Sequence, residues 1–155
     1  MKIRGVLPAL ITPFQENGAV DEEKLRKFVR FLTPQVHGLY PCGSYGSGPL
    51  MTEEERKRVL EVIVEEVDGR IPVVVHVGAA DTPSTLRLAH HAEDLGVAAV
   101  ACLTPYYYLH GFRNVVAHFK VVLAEISTPV FLYHNPKYTN LTSLTADQVV
   151  ELAGM

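Results

Sequence analysis

The sequence has few cysteines, little net charge and no long apolar run. Its 155 residues include two cysteines and carry a net charge of −3. Without a basic excess, the chain does not resemble proteins that bind nucleic acid or anionic membrane surfaces. Its longest apolar runs, such as residues 71–75 and 97–103, have the length of strands. They fall well short of the roughly 20 residues that a membrane-spanning helix needs.

The start of the chain also lacks the long apolar stretch of a secretory signal. We therefore expect a cytoplasmic protein in which Cys42 and Cys102 are small buried thiols rather than redox or metal-binding groups. No Gly-x-Gly-x-x-Gly dinucleotide fingerprint follows the first predicted strand. We expect no resident cofactor or metal ion.

Strand-like and helix-like segments alternate along the whole chain, with repeats of about 30 residues. Apolar runs predict five strands: one that is followed by a loop within residues 5–14, and four more at residues 38–40, 71–78, 97–103 and 129–133. Helical spacing of apolar residues predicts five helices, at residues 21–32, 52–69, 82–95, 115–126 and 145–152. Two capping boxes, at residues 52–55 and 145–148, mark helix starts, and Thr82 followed by Pro83 is predicted to be a third.

This alternation predicts a parallel α/β sheet. Two architectures accommodate it: an open doubly wound sheet, or about the first five βα units of a TIM (β/α)8 barrel, which typically needs about 250 residues. No linker or change in composition divides the chain, so we expect residues 1–155 to form a single domain.

Several motifs occur in an order that favours the barrel and resembles the dihydrodipicolinate synthase and N-acetylneuraminate lyase family. The resemblance covers essentially the whole chain. Its motifs are residues 5–14 (Gly-Val-Leu-Pro-Ala-Leu-Ile-Thr-Pro-Phe), Val20-Asp21, residues 38–44, Leu50-Met51-Thr52-x-x-Glu55-Arg56, Thr104-Pro105-Tyr106-Tyr107 and Leu132-Tyr133-x-x-Pro136.

The resemblance implies a pyruvate-dependent lyase or aldolase of class I. In that chemistry a lysine amine attacks the ketone of pyruvate and forms a Schiff base, which acts as an electron sink for carbon–carbon bond formation or cleavage. A TIM barrel places such groups at the carboxyl ends of its strands.

By the same resemblance, Tyr133 corresponds to the proton-transfer tyrosine. Ser44 corresponds to the hydroxyl that links it to a second tyrosine, Tyr107, which reaches in from a neighbouring subunit of a homo-oligomer. The loop at Gly43, Ser44 and Tyr45 is expected to offer backbone N–H groups and the Ser44 hydroxyl to the substrate carboxylate.

The chain departs from the family pattern in and beside these motifs. Tyr45 replaces the second hydroxyl residue of the loop, Ser47 replaces its glutamate, and His134-Asn135 stands where the family usually has Asn-x. Tyr138 occupies the position of the arginine that grips aspartate semialdehyde, and a phenol cannot replace its bidentate fork. These departures favour a 2-keto acid such as a keto-deoxy sugar acid.

The family places its Schiff-base lysine on a sixth strand, which residues 1–155 do not contain. The lysines present are Lys2, Lys24, Lys27, Lys57, Lys120 and Lys137. We therefore expect an N-terminal barrel portion, with open strand edges, that is inactive alone.

Two alternatives remain open at this point. One is a non-catalytic truncated paralogue or assembly subunit. The other is a metal-dependent barrel enzyme with His76, His134 and Asp81 near strand ends, although their spacing is not that of a tight ligand set.

Overall fold

The computed structural model describes residues 3–155. Its helices are α1 (Glu22–Leu32), α2 (Glu53–Val67), α3 (Thr82–Asp94), α4 (Phe112–Glu125) and α5 (Ala146–Ala153), and its strands are β1 (Val74–His76), β2 (Ala99–Leu103) and β3 (Val130–Tyr133). Short 3₁₀ turns lie at Gly48–Leu50 and Pro136–Tyr138. The predicted alternation of extended segments and helices is observed.

The extended segments lie side by side in chain order. Strands β1, β2 and β3 form a parallel sheet, with His76 opposite Ala101 and Leu103 opposite Tyr133. The first two predicted strands continue the sheet only as isolated parallel bridges. These bridges join Ala9 to Tyr40 and Leu39 to Val73.

Proline explains why the first two segments form bridges instead of regular strands. The carbonyl oxygens of Pro8, Pro41 and Pro72 accept hydrogen bonds from Tyr40, His76 and Leu39, at 3.1, 3.0 and 3.0 Å. Because proline has no N–H, none of these residues can return a hydrogen bond to the ladder. The pairing order is kept, but the ladder is broken at each proline.

Helix starts follow the side-chain caps seen in the sequence, with one correction. Thr52 and Thr145 both form complete capping boxes, with Glu55 and Gln148 respectively. The prediction that Thr82 caps α3 is wrong. The cap is Asp81, whose carboxylate accepts from the amide of Ser84 at 2.8 Å, because a carboxylate one residue earlier reaches the first free amides.

The sheet has two differently packed faces. Toward the helices, Val73, Val75 and Val77 join a large core that includes Leu25 of α1 and Ile63 of α2. The opposite, inner face holds a smaller cluster: Val74, Ala99, Ala101, Ile3, Leu7 and Tyr40. The small side chains of β2 therefore leave space on the inner face for larger neighbours.

Both cysteines are free and buried, as predicted. Burial raises the pKa of Cys42 to about 11 and that of Cys102 to about 12. The thiol of Cys102 lies 3.5 Å from Nε2 of His118, whose Nδ1 lies 2.8 Å from the Thr82 hydroxyl. Burial lowers the pKa of His118 to about 4, so this contact holds an uncharged imidazole against a protonated thiol at neutral pH.

The inner face is open on one side. A groove of about 250 Å³ runs along it, between Ile3 and Leu7 on one side and Phe131 on the other. The aromatic side chain of Phe131 is 47% exposed, which is high for a strand residue of this size. No helix within residues 3–155 combines the length and apolarity needed to cross a bilayer.

Candidate active site

The candidate site lies at the carboxyl ends of the extended segments. There the chain forms three loops: residues 41–48 after the second segment, 104–111 after β2 and 134–145 after β3. In parallel α/β folds, binding residues concentrate at this edge because all the strands point toward it.

The loop at residues 41–48 is tightly folded. Cys42 and Ser47 adopt left-handed backbone angles, with φ of 60° and 56°. A side chain at Gly48 would collide with the carbonyl oxygen of Cys42, and one at Gly46 would lie 2.7 Å from that of Leu10. Non-glycine residues in the left-handed region carry strain, which the surrounding contacts must hold in place.

Thr12 fixes the loop to the first segment, because its buried hydroxyl donates a 2.7 Å hydrogen bond to the carbonyl oxygen of Gly46. Inside the loop, the amides of Gly46 and Gly48 both donate to the carbonyl of Gly43, at 3.1 and 3.0 Å. The loop is thus held by its own backbone and by one threonine.

Three successive backbone amides of this loop take no part in the hydrogen bonds that hold it. Within residues 3–155, the N–H groups of Gly43, Ser44 and Tyr45 donate no hydrogen bond to another backbone group or a side chain. Adjacent free amides at the end of a strand form a concavity that suits an anion. A carboxylate group is one such anion.

Ser44 also faces a cleft of about 200 Å³, which is lined by Ser44, Ser47, Pro49, Leu50, Leu103, Tyr106 and Tyr138. The lining contains hydroxyl groups and apolar surface but no lysine or arginine among the described residues. Tyr45 does not line it, and its side chain is 78% exposed. The Tyr45 ring therefore points into solvent and does not narrow the cleft.

Arg56 is a buried cation below the loop. Its guanidinium donates to the carbonyl oxygens of His76 at 2.7 Å and Gly78 at 3.1 Å, whereas Nε has no partner in the described chain. The backbone carbonyl of Arg56 in turn lies 3.8 Å from the Cys42 thiol, at the start of the loop. Burial lowers the pKa of Arg56, although an arginine remains charged at neutral pH.

Tyr133 ends β3 and is half-buried. Its hydroxyl oxygen accepts a 3.2 Å hydrogen bond from Nδ2 of Asn135. Its ring lies 6.1 Å from the ring of His76 and 6.2 Å from that of Tyr40, while the His76 and Tyr40 rings are 6.4 Å apart. Three aromatic rings from different extended segments therefore meet below the loop.

The polar atoms of this ring cluster are unusual. Neither ring nitrogen of His76 nor the hydroxyl of Tyr40 has a hydrogen-bond partner in the described chain, although all three atoms are buried. Burial, assisted by the nearby Arg56 charge, lowers the pKa of His76 to about 3. Burial likewise raises the pKa of Tyr40, so both rings are uncharged at neutral pH.

Tyr107 packs against Tyr108 and has no hydrogen bond or ring contact with Ser44 or Tyr133 among the described residues. It has a left-handed φ of 83°, its side chain is 75% exposed, and its ring packs edge-on against Tyr108 at 5.0 Å. The side-chain amide of Asn140 donates to its carbonyl oxygen at 3.2 Å. Tyr107 is thus presented outward from the site.

The lysines are not in the cleft. Lys24, Lys27, Lys120 and Lys137 are exposed, Lys57 is half-buried on α2, and Lys2 lies outside the described residues. Lys137 follows β3 and extends over the Tyr138 ring, with Nζ 6.0 Å from its centroid.

The three candidate ligands of a metal-dependent enzyme each have a different structural role. Asp81 caps α3, Nε2 of His134 accepts from the amide of Leu144 at 3.0 Å, and His76 belongs to the ring cluster. Within residues 3–155, no three His, Cys, Asp or Glu side chains are grouped so as to hold a metal ion.

Sequence reasoning did not identify Tyr40, Arg56 or the packing role of His76. His76 had a visible signal, because it is the one polar residue inside an apolar strand. Arg56 belongs to the Thr52-x-x-Glu55-Arg56 motif but resembles any other helix cation in sequence, and only the fold turns it inward.

The sequence and the architecture of this chain match those of several known proteins. The 4-hydroxy-tetrahydrodipicolinate synthase of Bartonella henselae is 41% identical over 135 residues, which cover 86% of this chain and 46% of that protein. A solved dihydrodipicolinate synthase from Acinetobacter baumannii, complexed with pyruvate, superposes with a TM-score of 0.94 at 30% identity, covering 99% of this chain and 53% of that one. For an N-acetylneuraminate lyase from Mycoplasma synoviae the TM-score is 0.87 at 28% identity, over 97% and 50%.

These relatives are TIM-barrel proteins, so the predicted barrel architecture is confirmed, and the chain corresponds to part of such a barrel. The chain spans about half the length of the relatives that it matches. The model of the Dihydrodipicolinate synthetase family matches residues 2–155. This chain therefore belongs to the dihydrodipicolinate synthetase family, whose members matched here are lyases.

Proposed function

We propose that this chain carries the carboxylate-binding loop and the proton-transfer tyrosine of a cytoplasmic, pyruvate-dependent aldolase or lyase that works through a lysine Schiff base. The observation that carries the proposal is the row of free amides at Gly43, Ser44 and Tyr45, next to a cleft at the carboxyl ends of the strands. The pyruvate complex of the Acinetobacter baumannii relative supports pyruvate as the acid that this loop binds.

In this proposal the pyruvate carboxylate accepts hydrogen bonds from the three amides and from the Ser44 hydroxyl. A lysine amine attacks the ketone, water leaves, and the resulting iminium withdraws electrons from the adjacent carbon. The Tyr133 hydroxyl transfers the proton that accompanies carbon–carbon bond formation or cleavage. Asn135 holds that hydroxyl by donating to its oxygen.

The attacking amine is proposed to come from a lysine outside residues 1–155, in a longer form of the chain or an associated one. Among the described lysines, Lys24 and Lys27 pair with carboxylates at 2.9 and 2.6 Å, and Lys137 extends over the Tyr138 ring. A lysine becomes nucleophilic in a desolvated pocket or beside another cation, and none of the described lysines lines the cleft.

The lining of the cleft, which is mostly apolar and contains no lysine or arginine among the described residues, favours an uncharged substrate portion. Tyr138 and Tyr106 present phenol groups where recognition of a second carboxylate would call for a guanidinium. We therefore propose a keto-deoxy sugar acid as the 2-keto acid.

The exposed loop at Tyr107, Tyr108 and Leu109 supports a homo-oligomer in which Tyr107 completes the site of a neighbouring subunit. Three large apolar side chains in succession are more than two-thirds exposed there, which is typical of a surface that another protein covers.

A titration with pyruvate, followed by amide chemical shifts in NMR spectra, tests the loop. We expect shifts at Gly43, Ser44 and Tyr45 with pyruvate but not with methyl pyruvate, which lacks the carboxylate. Ser44→Ala should weaken pyruvate binding at least about tenfold, because a hydrogen bond to a charged group contributes roughly 1.5–3 kcal/mol. The exposed Ser143→Ala is the matched control. Shifts confined to other regions would contradict the proposal.

Borohydride trapping with pyruvate then locates the amine. An adduct on a longer or associated chain, with the 17.1 kDa chain unmodified, is the expected result. An adduct on the 17.1 kDa chain itself would show that our placement of the amine is wrong. If neither amide shifts nor an adduct is observed, the result favours the alternative function, a non-catalytic assembly subunit.

A further inference from the structure

The ring cluster below the loop exists because β2 has small side chains on the inner face. Ala101 lies between His76 on β1 and Phe131 on β3 in the register of the sheet. With only a methyl group there, the rings of His76 and Tyr133 approach across β2 to 6.1 Å in an edge-to-face arrangement of 85°. Barrel interiors pack in this manner, with layers built from alternate strands.

Tyr40 connects this cluster to the loop. A side chain at Gly43 would lie 2.9 Å from Cε1 of Tyr40, so the loop backbone rests directly on the Tyr40 ring. The same ring is 6.2 Å from that of Tyr133. One side chain therefore packs against both Gly43 and the hydroxyl-bearing tyrosine.

His76 packs against the Tyr40 ring on one side, with the ring centroids 6.4 Å apart. It is 2% exposed, packs against Gly78, and is fixed from behind because Arg56 binds the carbonyl oxygens of both residues. Tyr40 thus packs against His76, Gly43 and Tyr133, and it also lines the open groove of the inner face.

We infer that Tyr40 is a positioning residue that couples the Gly43–Tyr45 amides to Tyr133, with His76 as its rigid support. The inference rests on the proposed function, in which the amides and Tyr133 act on one substrate. When the loop moves, the Tyr40 ring moves with it, and the direction of the Tyr133 hydroxyl changes. The shape of the ring carries this coupling, and the Tyr40 hydroxyl does not.

Tyrosine labelled with ¹³C at Cζ provides the test, because the chain has seven tyrosines and Tyr133→Phe identifies the signal of interest. We expect Tyr40→Leu to shift both the Tyr133 Cζ signal and the amides of residues 43–45. Tyr40→Phe, which keeps the ring, should leave both close to their original positions. Tyr108→Leu, which removes an exposed tyrosine, should also leave both unchanged.

Gly43→Ala gives a second route if Tyr40→Leu does not fold. Its methyl group should displace the Tyr40 ring and shift the Tyr133 signal, whereas Gly111→Ala, which meets no atom within 4 Å, should not. Loop shifts without a Tyr133 shift in Tyr40→Leu or in Gly43→Ala would overturn the inference. So would an effect of Tyr40→Phe as large as that of Tyr40→Leu.

These measurements need neither pyruvate nor turnover. If pyruvate binds normally but the Tyr133 signal does not respond to the loop, only the positioning role of Tyr40 is rejected. An intact coupling without pyruvate binding would reject the proposed function and leave the positioning role of Tyr40 in place.

Discussion

The guanidinium group of Arg56 donates a 2.7 Å hydrogen bond to the carbonyl oxygen of His76, and the two residues come from a helix and a strand 20 positions apart. A second bond, of 3.1 Å, reaches Gly78. These carbonyl oxygens belong to β1 and its carboxyl end, beyond the reach of the ladder. The buried charge therefore closes the hydrogen bonding of the strand on which the ring cluster is built.

Replacing Arg56 should destabilise the fold more than its charge alone would suggest. We expect Arg56→Leu to lower the free energy of unfolding by about 3 kcal/mol, because it leaves two buried carbonyl groups unsatisfied. Urea unfolding followed by circular dichroism measures this loss. Arg58→Leu on the same helix is the control; that residue pairs with Glu22 at a partly exposed site and should change stability by less than about 1 kcal/mol. Equal losses in both variants would contradict the role of Arg56.

Stability should fall on mild acidification because of His76. The folded state keeps this imidazole uncharged down to a pKa of about 3, whereas an unfolded histidine binds a proton near pH 6.5. Between these values the unfolded state binds more protons, so the free energy of unfolding rises with pH and is lost as the pH falls from about 6.5 toward 3. Between pH 7 and pH 5, His76 should account for a loss on the order of 2 kcal/mol.

Urea unfolding at the two pH values tests this expectation. His76→Phe should flatten the dependence, leaving the part due to His118, whose pKa is also lowered by burial. Replacing the exposed His90 with glutamine serves as the control and should leave the dependence unchanged. If His76→Phe has the pH dependence of the original chain, then His76 is not the group responsible.

Gly48→Ala should disrupt the loop. Its new methyl group would collide with the backbone carbonyl of Cys42, which cannot move without the rest of the loop. We expect a loss of about 3 kcal/mol or more, or a loop whose amide signals are broadened. Gly111→Ala should be within about 1 kcal/mol of the original chain, because its surroundings are open. A tolerated Gly48→Ala would show that the loop is less constrained than described.

Local sequence signals predicted the helices well and the strands less well. Thr52 and Thr145 act through side chains that reach amides three residues away, so their effect is visible without the fold. The sequence did not predict that the first two strands would be reduced to bridges. Whether Pro8 or Pro41 removes a ladder hydrogen bond depends on which neighbouring strand needs an N–H donor there.

The candidate site was predictable in its loops but not in its support. The motifs led to Ser44 and Tyr133, which lie at the carboxyl ends of extended segments. The contact of Tyr40 with Tyr133 joins residues 93 positions apart and depends on strand register and on the small size of Ala101. No local pattern carries that information, since the periodicity of a strand gives its faces but not its neighbours.

The two buried thiols can report on the opening of two different parts of the structure. Cys42 begins the loop, and Cys102 lies in the middle of the sheet next to His118, each protected by burial and by a raised pKa. A thiol reagent can modify either one only after the surrounding structure opens. The ratio of the two labelling rates therefore shows whether the loop opens locally or only when the sheet unfolds.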